Sequence, residues 1–422
     1  MAEQEARALL DLGRSVVERT IRAGADVAEA GVHSGSHLSV KVRIGEPELV
    51  EEAGSRALGL RVMVGQHVAA TYTSDLSETG LRTLIEDALE LARLSEADEF
   101  AGPPDPAELS ASSQWADLDT FDQGVSRISA DEALDRARVA ERAAFDFDSR
   151  ITNSEGATFT RARGTSALVT SGGFAGSDQG TYASIVVNPV ADDVGGKKRS
   201  GYHWSAARHY ADLEDSQVVG REAARRTIAQ LGAKKLRTQE LPVIFDKDAA
   251  RSILGLFGGC ILGGPIWRKT SYLVDRVGTR VASELVDIVD DPLLPKAPGS
   301  RAFDGEGLLS RRNVVVERGV LQTYLLDSYG ARKLGLKSTA SASRSPAGGI
   351  SASSSNLVLN ASSQSRDQLI ADTRHGLYVT SMMGFGFNAV TGDFSRGASG
   401  FLVQNGELAH PVAEVTISLN LD

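Results

Sequence analysis

The chain has 422 residues, too many for one ordinary core, and its 41% hydrophobic and 24% charged residues are the balance of a globular protein. A formal net charge of −10 with no long basic run argues against nucleic-acid binding, and no apolar stretch reaches the length of a membrane span. The acidic start MAEQEARALLDLGRS is unlike a signal peptide, and the single cysteine, Cys260, excludes an internal disulfide, so the chain reads as cytoplasmic and reduced.

Leu9, Leu12 and Val16 recur at helical spacing and Gly24 closes the run, which predicts a first helix. The period then changes. In SHLSVKVRIGE, Leu38, Val40, Val42 and Ile44 alternate with polar residues, and ALGLRVMVGQHVAATY repeats the alternation up to a turn at Gly65-Gln66. A second amphipathic helix is expected from about Ser77 to Leu94. Helix, meander, helix argues for an α+β fold whose N-terminal antiparallel sheet carries flanking helices.

The Pro-rich stretch 99–114 reads as a connection and marks a sub-boundary. Ser129 caps a helix from Ala130, residues 150–210 read as short strands separated by glycine turns, and a helix is expected within 214–233. The charged tether KKLRTQEL places the main domain boundary near residue 236, giving an N-terminal region 1–235 and a C-terminal domain 236–422. There LPVIF is a strand, Asp246 caps a helix carrying Ile253 and Leu256, and strand and loop follow. The Ser/Gly-rich run 341–356 reads as flexible, and Asn405-Gly406 as a two-residue hairpin turn.

The stretch GLFGGCILGG, 255–264, surrounds the only thiol with glycines. A phosphate loop fails there, because Gly264 and Pro265 stand where Lys and Ser/Thr are needed. A thiol nucleophile needs a base, and no histidine lies within fifty residues of Cys260, which reads better as a small buried hydrophobe. None of the seven histidines is followed by Glu, as a helical zinc-peptidase motif requires. His203 and His209, six apart, read as surface or interface residues, and Asp290-Asp291 before Pro292 as a solvated turn. No GxSxG elbow is present.

Two C-terminal blocks, LQTYLLDSYGARKLGLKST (321–339) and MGFGFNAVTGDFSRGASGFLVQNGELAHPVAEVTI (383–417), resemble the signatures of the TldD/PmbA family, on its PmbA (TldE) side. The resemblance runs the whole length. It implies a C-terminal domain dominated by antiparallel strands and a bacterial cytosolic complex in which a TldD-type subunit pairs with a PmbA-type subunit to cleave extended peptides. Maturation of peptide-antibiotic precursors and degradation of antitoxin are the roles it implies. TldD-type chains carry HExxxH, which this chain lacks throughout. Aligning GGPIWRKTS (263–271) sets Gly255 against the first histidine of that motif, Leu256 against the glutamate and Cys260 against the second histidine, so the stretch is expected to be the vacant counterpart of a zinc helix. Its glycines are expected to serve close packing of helix against sheet.

The resemblance thus implies a subunit with no cofactor and no catalytic residue of its own, and zinc in a TldD-type partner. Arg268, Asn388, Asp393 and Arg396 are the candidates for lining a substrate channel or subunit interface, with a solvated turn as the bland reading of the 388–396 loop. Two other functions stay open: a gyrase-modulating interaction protein, and a self-assembling small-amide hydrolase of specialised metabolism; a homodimer of this chain without its TldD-type partner stays open as well.

Overall fold

The structure is a computed structural model describing residues 2–422. Helix α1 (Ala2–Arg22) precedes the antiparallel strands β1 (Val27–Arg43), β2 (Glu46–Val64) and β3 (His67–Thr73), followed by α2 (Glu78–Leu94). A short α3 (Gln123–Ser126) and then α4 (Ala130–Phe145) lead into β4 (Ile151–Thr170), β5 (Ala175–Asp192), β6 (Lys198–Ser200), β7 (His203–Ala207) and α5 (Ser216–Ile228). The strands form one seven-stranded antiparallel sheet in the order β3-β2-β1-β4-β5-β6, with β7 also on β5.

The sheet buries one face under two helical layers set side by side. Ala28, Ala30 and Val32 of β1, with Leu58, Leu60 and Val62 of β2, pack under α1 and α2. Farther along the same strand, Leu38, Val40 and Val42 join Phe159 of β4 and Ile185 of β5 under α4 and α5. All six β1 residues have even numbers, as one face of a pleated strand demands. Each large side chain fully buried in this way contributes about 1.5–3 kcal/mol. Ser77 and Ser129 cap α2 and α4 by accepting from the amides of Gly80 and Glu132, each cap contributing about 1 kcal/mol. Helices α4 and α5 approach so closely at Gly220 that a Cβ there would lie 2.0 Å from the Ala140 carbonyl oxygen.

The short strands expected within 150–210 are instead two long ones. β4 runs 20 residues and β5 18, in register from Ala157↔Val187 to Val169↔Ala175, with Gly164 inside the ladder opposite Gly180. Gly164 and Gly180 thus lie mid-strand, whereas Gly173, at φ 102°, sits in the turn that joins β4 to β5.

The C-terminal part contains β8 (Val243–Phe245), α6 (Lys247–Cys260), α7 (Gly263–Trp267), β9 (Ile288–Asp290), β10 (Asn313–Glu317), β11 (Val320–Leu321) and α8 (Ser328–Leu334). The chain continues through β12 (Ala342–Arg344), β13 (Ile350–Ala352), β14 (Leu357–Leu359), α9 (Arg366–Ala371), β15 (His375–Met383), β16 (Asp393–Gln404) and β17 (Glu407–Asn420). One sheet has the order β17-β16-β15-β8, antiparallel except that β8 runs parallel to β15, and another the order β11-β10-β9-β14. Asn405 and Gly406, with φ of 51° and 82°, make the expected two-residue turn between β16 and β17.

The run 341–356 is not a flexible segment. β12 and β13 pair within it, and on the face of the long sheet away from its helices Arg344 meets Glu29 of β1, which also binds Arg61. Nearby, Tyr329 and Lys333 of α8 hold Asp98, and the Arg332 guanidinium donates to the carbonyls of Phe100 and Gly102. The Pro-rich connection is therefore fixed to the C-terminal part.

Candidate functional site

Helix α6 begins where Asp246 accepts from the amide of Asp248, and the Tyr378 hydroxyl donates to the same carboxylate. Burial and the neighbouring Asp246 push the Tyr378 pKa up, so it stays a donor at neutral pH. The helix is wedged between two cores. Ile253 and Leu256 pack toward Val379 and Phe394, whereas Leu254, Phe257 and Cys260 pack toward Val315 and Leu325.

A third face remains. Arg251, Gly255 and Gly259, four residues apart, are exposed. The Arg251 guanidinium lies over the Trp204 ring of β7, 4.7 Å from its centroid. A Cβ built at Gly255 or Gly259 would meet no atom within 4 Å. Within α6 the expected close packing holds at Gly258, where a Cβ would lie 2.9 Å from Leu357, and beyond the helix at Gly263, where it would lie 3.0 Å from Leu326. Gly255 and Gly259 leave the helix backbone bare.

Cys260 is 1% exposed, and burial pushes its thiol pKa up, opposite to what a nucleophile needs. Of the four candidate lining residues, Arg396 alone reaches α6, its Nη1 donating to Ser252 Oγ at 2.9 Å. Its Nε is buried without a hydrogen-bond partner among the described residues. Arg268 is exposed at the end of α7, over the Trp267 ring at 4.9 Å. Asn388 and Asp393 hold the β15–β16 connection together. The Asn388 side chain accepts from the Val390 amide, and Asp393 accepts from Thr391 and Asn420, which lowers its pKa. That connection docks beside α7 through a bond from the Tyr272 amide to the Ala389 carbonyl. At its start Phe385 is fully exposed, with Met383 and Val390 also largely exposed.

Beside the N-terminus of α6 a groove of about 1800 Å³ opens between α5 and the sheet of β15 and β16, lined by Tyr202, Arg226, Lys247, Tyr378, Ser399 and Phe401 among others.

Three family models match in tandem: PmbA/TldA metallopeptidase domain 1 over residues 28–92, the central domain over 124–231 and the C-terminal domain over 238–422. The chain belongs to the PmbA/TldD family. It is 37% identical to Metalloprotease PmbA of Escherichia coli O157:H7, over 94% of this chain and 85% of that protein. A Metalloprotease PmbA homolog of Haemophilus influenzae is also 37% identical, over 99% and 88%. A crystal structure from Bacteroides thetaiotaomicron, described as a candidate modulator of DNA gyrase, superposes with a TM-score of 0.90 at 27% identity, covering 97% of this chain and 90% of that one.

For this PmbA/TldD-family chain, α6 does not fit a catalytic metal. Gly255 and Leu256 carry no donor atom in their side chains, and Cys260 is turned into a core. Among the described residues no group of three His, Cys, Asp or Glu side chains is placed to hold a metal ion. No helix among them is long and apolar enough to cross a membrane.

Two readings of individual residues need correction. His203 is not a surface residue: it is 7% exposed on β7, and its Nε2 faces Glu214 at 2.9 Å. His209 instead contacts the Asp119 carbonyl at 2.8 Å. Asp290 is not in a solvated turn: it is 1% exposed at the end of β9, accepts from the Ser355 amide and hydroxyl, and has its pKa raised by burial. Sequence reasoning missed Arg251, Ser252 and Trp204 at α6. Only the exposed spacing of 251, 255 and 259 could have signalled them.

Proposed function

We propose that this chain is the zinc-free, PmbA/TldE-type subunit of a cytosolic peptidase complex, pairing with a TldD-type subunit that supplies the zinc and the general base. In this reading it walls the chamber and helps hold an extended peptide. The observation that carries it is the bare face of α6. An interior helical glycine costs about 0.5–1 kcal/mol relative to alanine, and neither Gly255 nor Gly259 is required by any neighbour within this chain. A backbone kept clear at that expense suits something that approaches from outside, and the family resemblance puts the partner's zinc motif at the equivalent helix. Arg396, bonded to Ser252 of α6, and the exposed apolar residues of the β15–β16 connection suit contact with peptide or partner.

The test is co-expression with a TldD-type chain, followed by size exclusion, elemental analysis and a peptide-cleavage assay on each chain and on the mixture. The complex is expected to cleave unfolded peptides and to carry zinc only through the partner. Peptide cleavage by this chain alone, with about one zinc per chain after mild chelation, would overturn the proposal.

A further inference from the structure

Arg225 and Arg226 of α5, Lys247 at the start of α6 and Arg366 of α9 all line the groove beside the sheet of β15 and β16. Arg225 and Arg366 come from the N-terminal and C-terminal parts of the chain, yet they stand close enough to repel each other. Arg366 also lies by the Tyr378 hydroxyl. Nearby acids answer these cations incompletely. Glu222 is shared between Arg225 and Arg226, Asp248 meets Arg226 and Asp367 meets Arg366. Lys247 has no ion-pair or hydrogen-bond partner among the described residues. Of the lining carboxylates, Asp246 is held by Tyr378 and the cap of α6, and Glu155, at the Asn188 end, is the one without a partner among the described residues.

The rim is apolar. Leu285, Leu359, Met383 and Leu408 line the groove and are 85%, 45%, 60% and 43% exposed. On the floor, the hydroxyls of Ser381 and Ser399 make no hydrogen bond among the described residues. A compact anion would answer the guanidinium pair and leave the rim in water. A hydrocarbon chain would cover the rim and leave the cations and hydroxyls unanswered. A peptide offers backbone groups to the hydroxyls and side chains of both kinds to the rest. We propose that this groove anchors a stretch of extended peptide that carries acidic and apolar side chains, one carboxylate lying between Arg225 and Arg366. Such a carboxylate joins two elements that otherwise repel. The proposal rests on the reading of this chain as a subunit that holds peptide, and it names the class of peptide held. Lys247 stands one turn before Arg251 on the stripe that continues to Gly255 and Gly259, so a peptide anchored here leads onto the bare face of α6.

The probe is a dye-labelled peptide of alternating Asp and Leu, titrated with the full chain alone in fluorescence polarisation, so that neither zinc nor partner enters the readout. It is expected to bind, more weakly as salt rises, and its counterparts with Asn or Lys in place of Asp should bind roughly tenfold or more weaker. Arg225→Glu and Arg366→Glu should each weaken the Asp peptide by a similar factor, whereas Arg93→Glu on α2, outside the groove, should not. These side chains are exposed, and circular dichroism confirms that each variant folds. Equal binding of the Asn peptide, indifference to both groove reversals, or tighter binding of a fatty acid than of the peptide overturns the proposal. Charge-dependent binding by this chain, without cleavage by its complex with a TldD-type chain, would support the groove and count against the peptidase reading.

Discussion

Arg344 and Glu29, 315 residues apart in sequence, meet at 2.6 Å with side chains 8% and 2% exposed. Arg61 binds the other carboxylate oxygen at 3.0 Å. Burial alone would raise the Glu29 pKa, but the two guanidinium groups outweigh it and hold the carboxyl below its ordinary value. Truncating the sole partner of a buried charge costs about 3–5 kcal/mol. Arg61 still compensates Glu29 in Arg344→Ala, so the variant should lower the chemical-denaturation midpoint by less than that full cost. Because the folded pKa is depressed, the stabilisation is present above the unfolded pKa of about 4.3 and is lost as pH falls through the lower folded value. An acid titration in which Arg344→Ala and wild type lose stability in parallel would show that the pair contributes nothing.

Glu306 has the opposite linkage. Burial, then the neighbouring Asp304, raise its pKa to about 7, while Ser328 donates to it through amide and hydroxyl. A raised folded pKa contributes stability that is complete below the unfolded value of about 4.3 and is lost as pH rises toward about 7. Glu306→Gln is expected to flatten that decline, read as melting temperature against pH from 5 to 8. An unchanged slope would place the titration elsewhere.

Cys260→Ser should leave complex activity intact and cost about 1 kcal/mol, by placing a hydroxyl in an apolar core. In the native state the thiol should resist alkylation until the chain unfolds, since it is 1% exposed. Rapid labelling of the folded protein would contradict its burial.

Gly255→Ala and Gly259→Ala test the bare helix face. Each should stabilise the isolated chain by about 0.5–1 kcal/mol, since the added methyl meets nothing. If partner or peptide lies against that face, the same substitutions should lower peptide turnover of the complex or weaken its assembly. Stabilised variants with wild-type assembly and turnover would make the face ordinary surface.

Arg396→Ala removes the bond to Ser252 and should cost less than about 2 kcal/mol, leaving the fold intact. Co-purification with a TldD-type chain, or turnover by the complex, should fall by more than this small loss explains. Wild-type behaviour in both assays would confine Arg396 to a structural bond.

Periodic burial was what the sequence could express. Leu38, Val40 and Val42 alternate because α4 covers one face of β1, and the stripe of α2 is as clear. The first eleven residues of β2 show no alternation because nothing covers either face. The interior of β4 was read as turns because Gly156 and Gly164 interrupt it, although cross-strand pairing fixes its length. Asp290 was misread because Asp-Asp-Pro is turn chemistry, whereas its burial comes from Ser355, 65 residues away. Arg396 could be named from the sequence only as a polar residue near a glycine-rich turn, and its partner Ser252, 144 residues distant, could not be named at all. Asn388 and Asp393 were legible as polar loop residues, and their bonds within the loop show what holds its shape.

The strand β1 gives Ala28, Ala30 and Val32 to one core and Leu38, Val40 and Val42 to the next, and β4 does likewise with Val169 and Phe159. Two segments that match separate family domains thus share the same continuous backbone ladder. Loosening α1 and α2 would strip one end of β1 and β4 and propagate along the ladder to the layer under α4. The N-terminal half should accordingly open as one cooperative unit in native-state exchange, with amides at Ala30 and Val40 released at the same free energy.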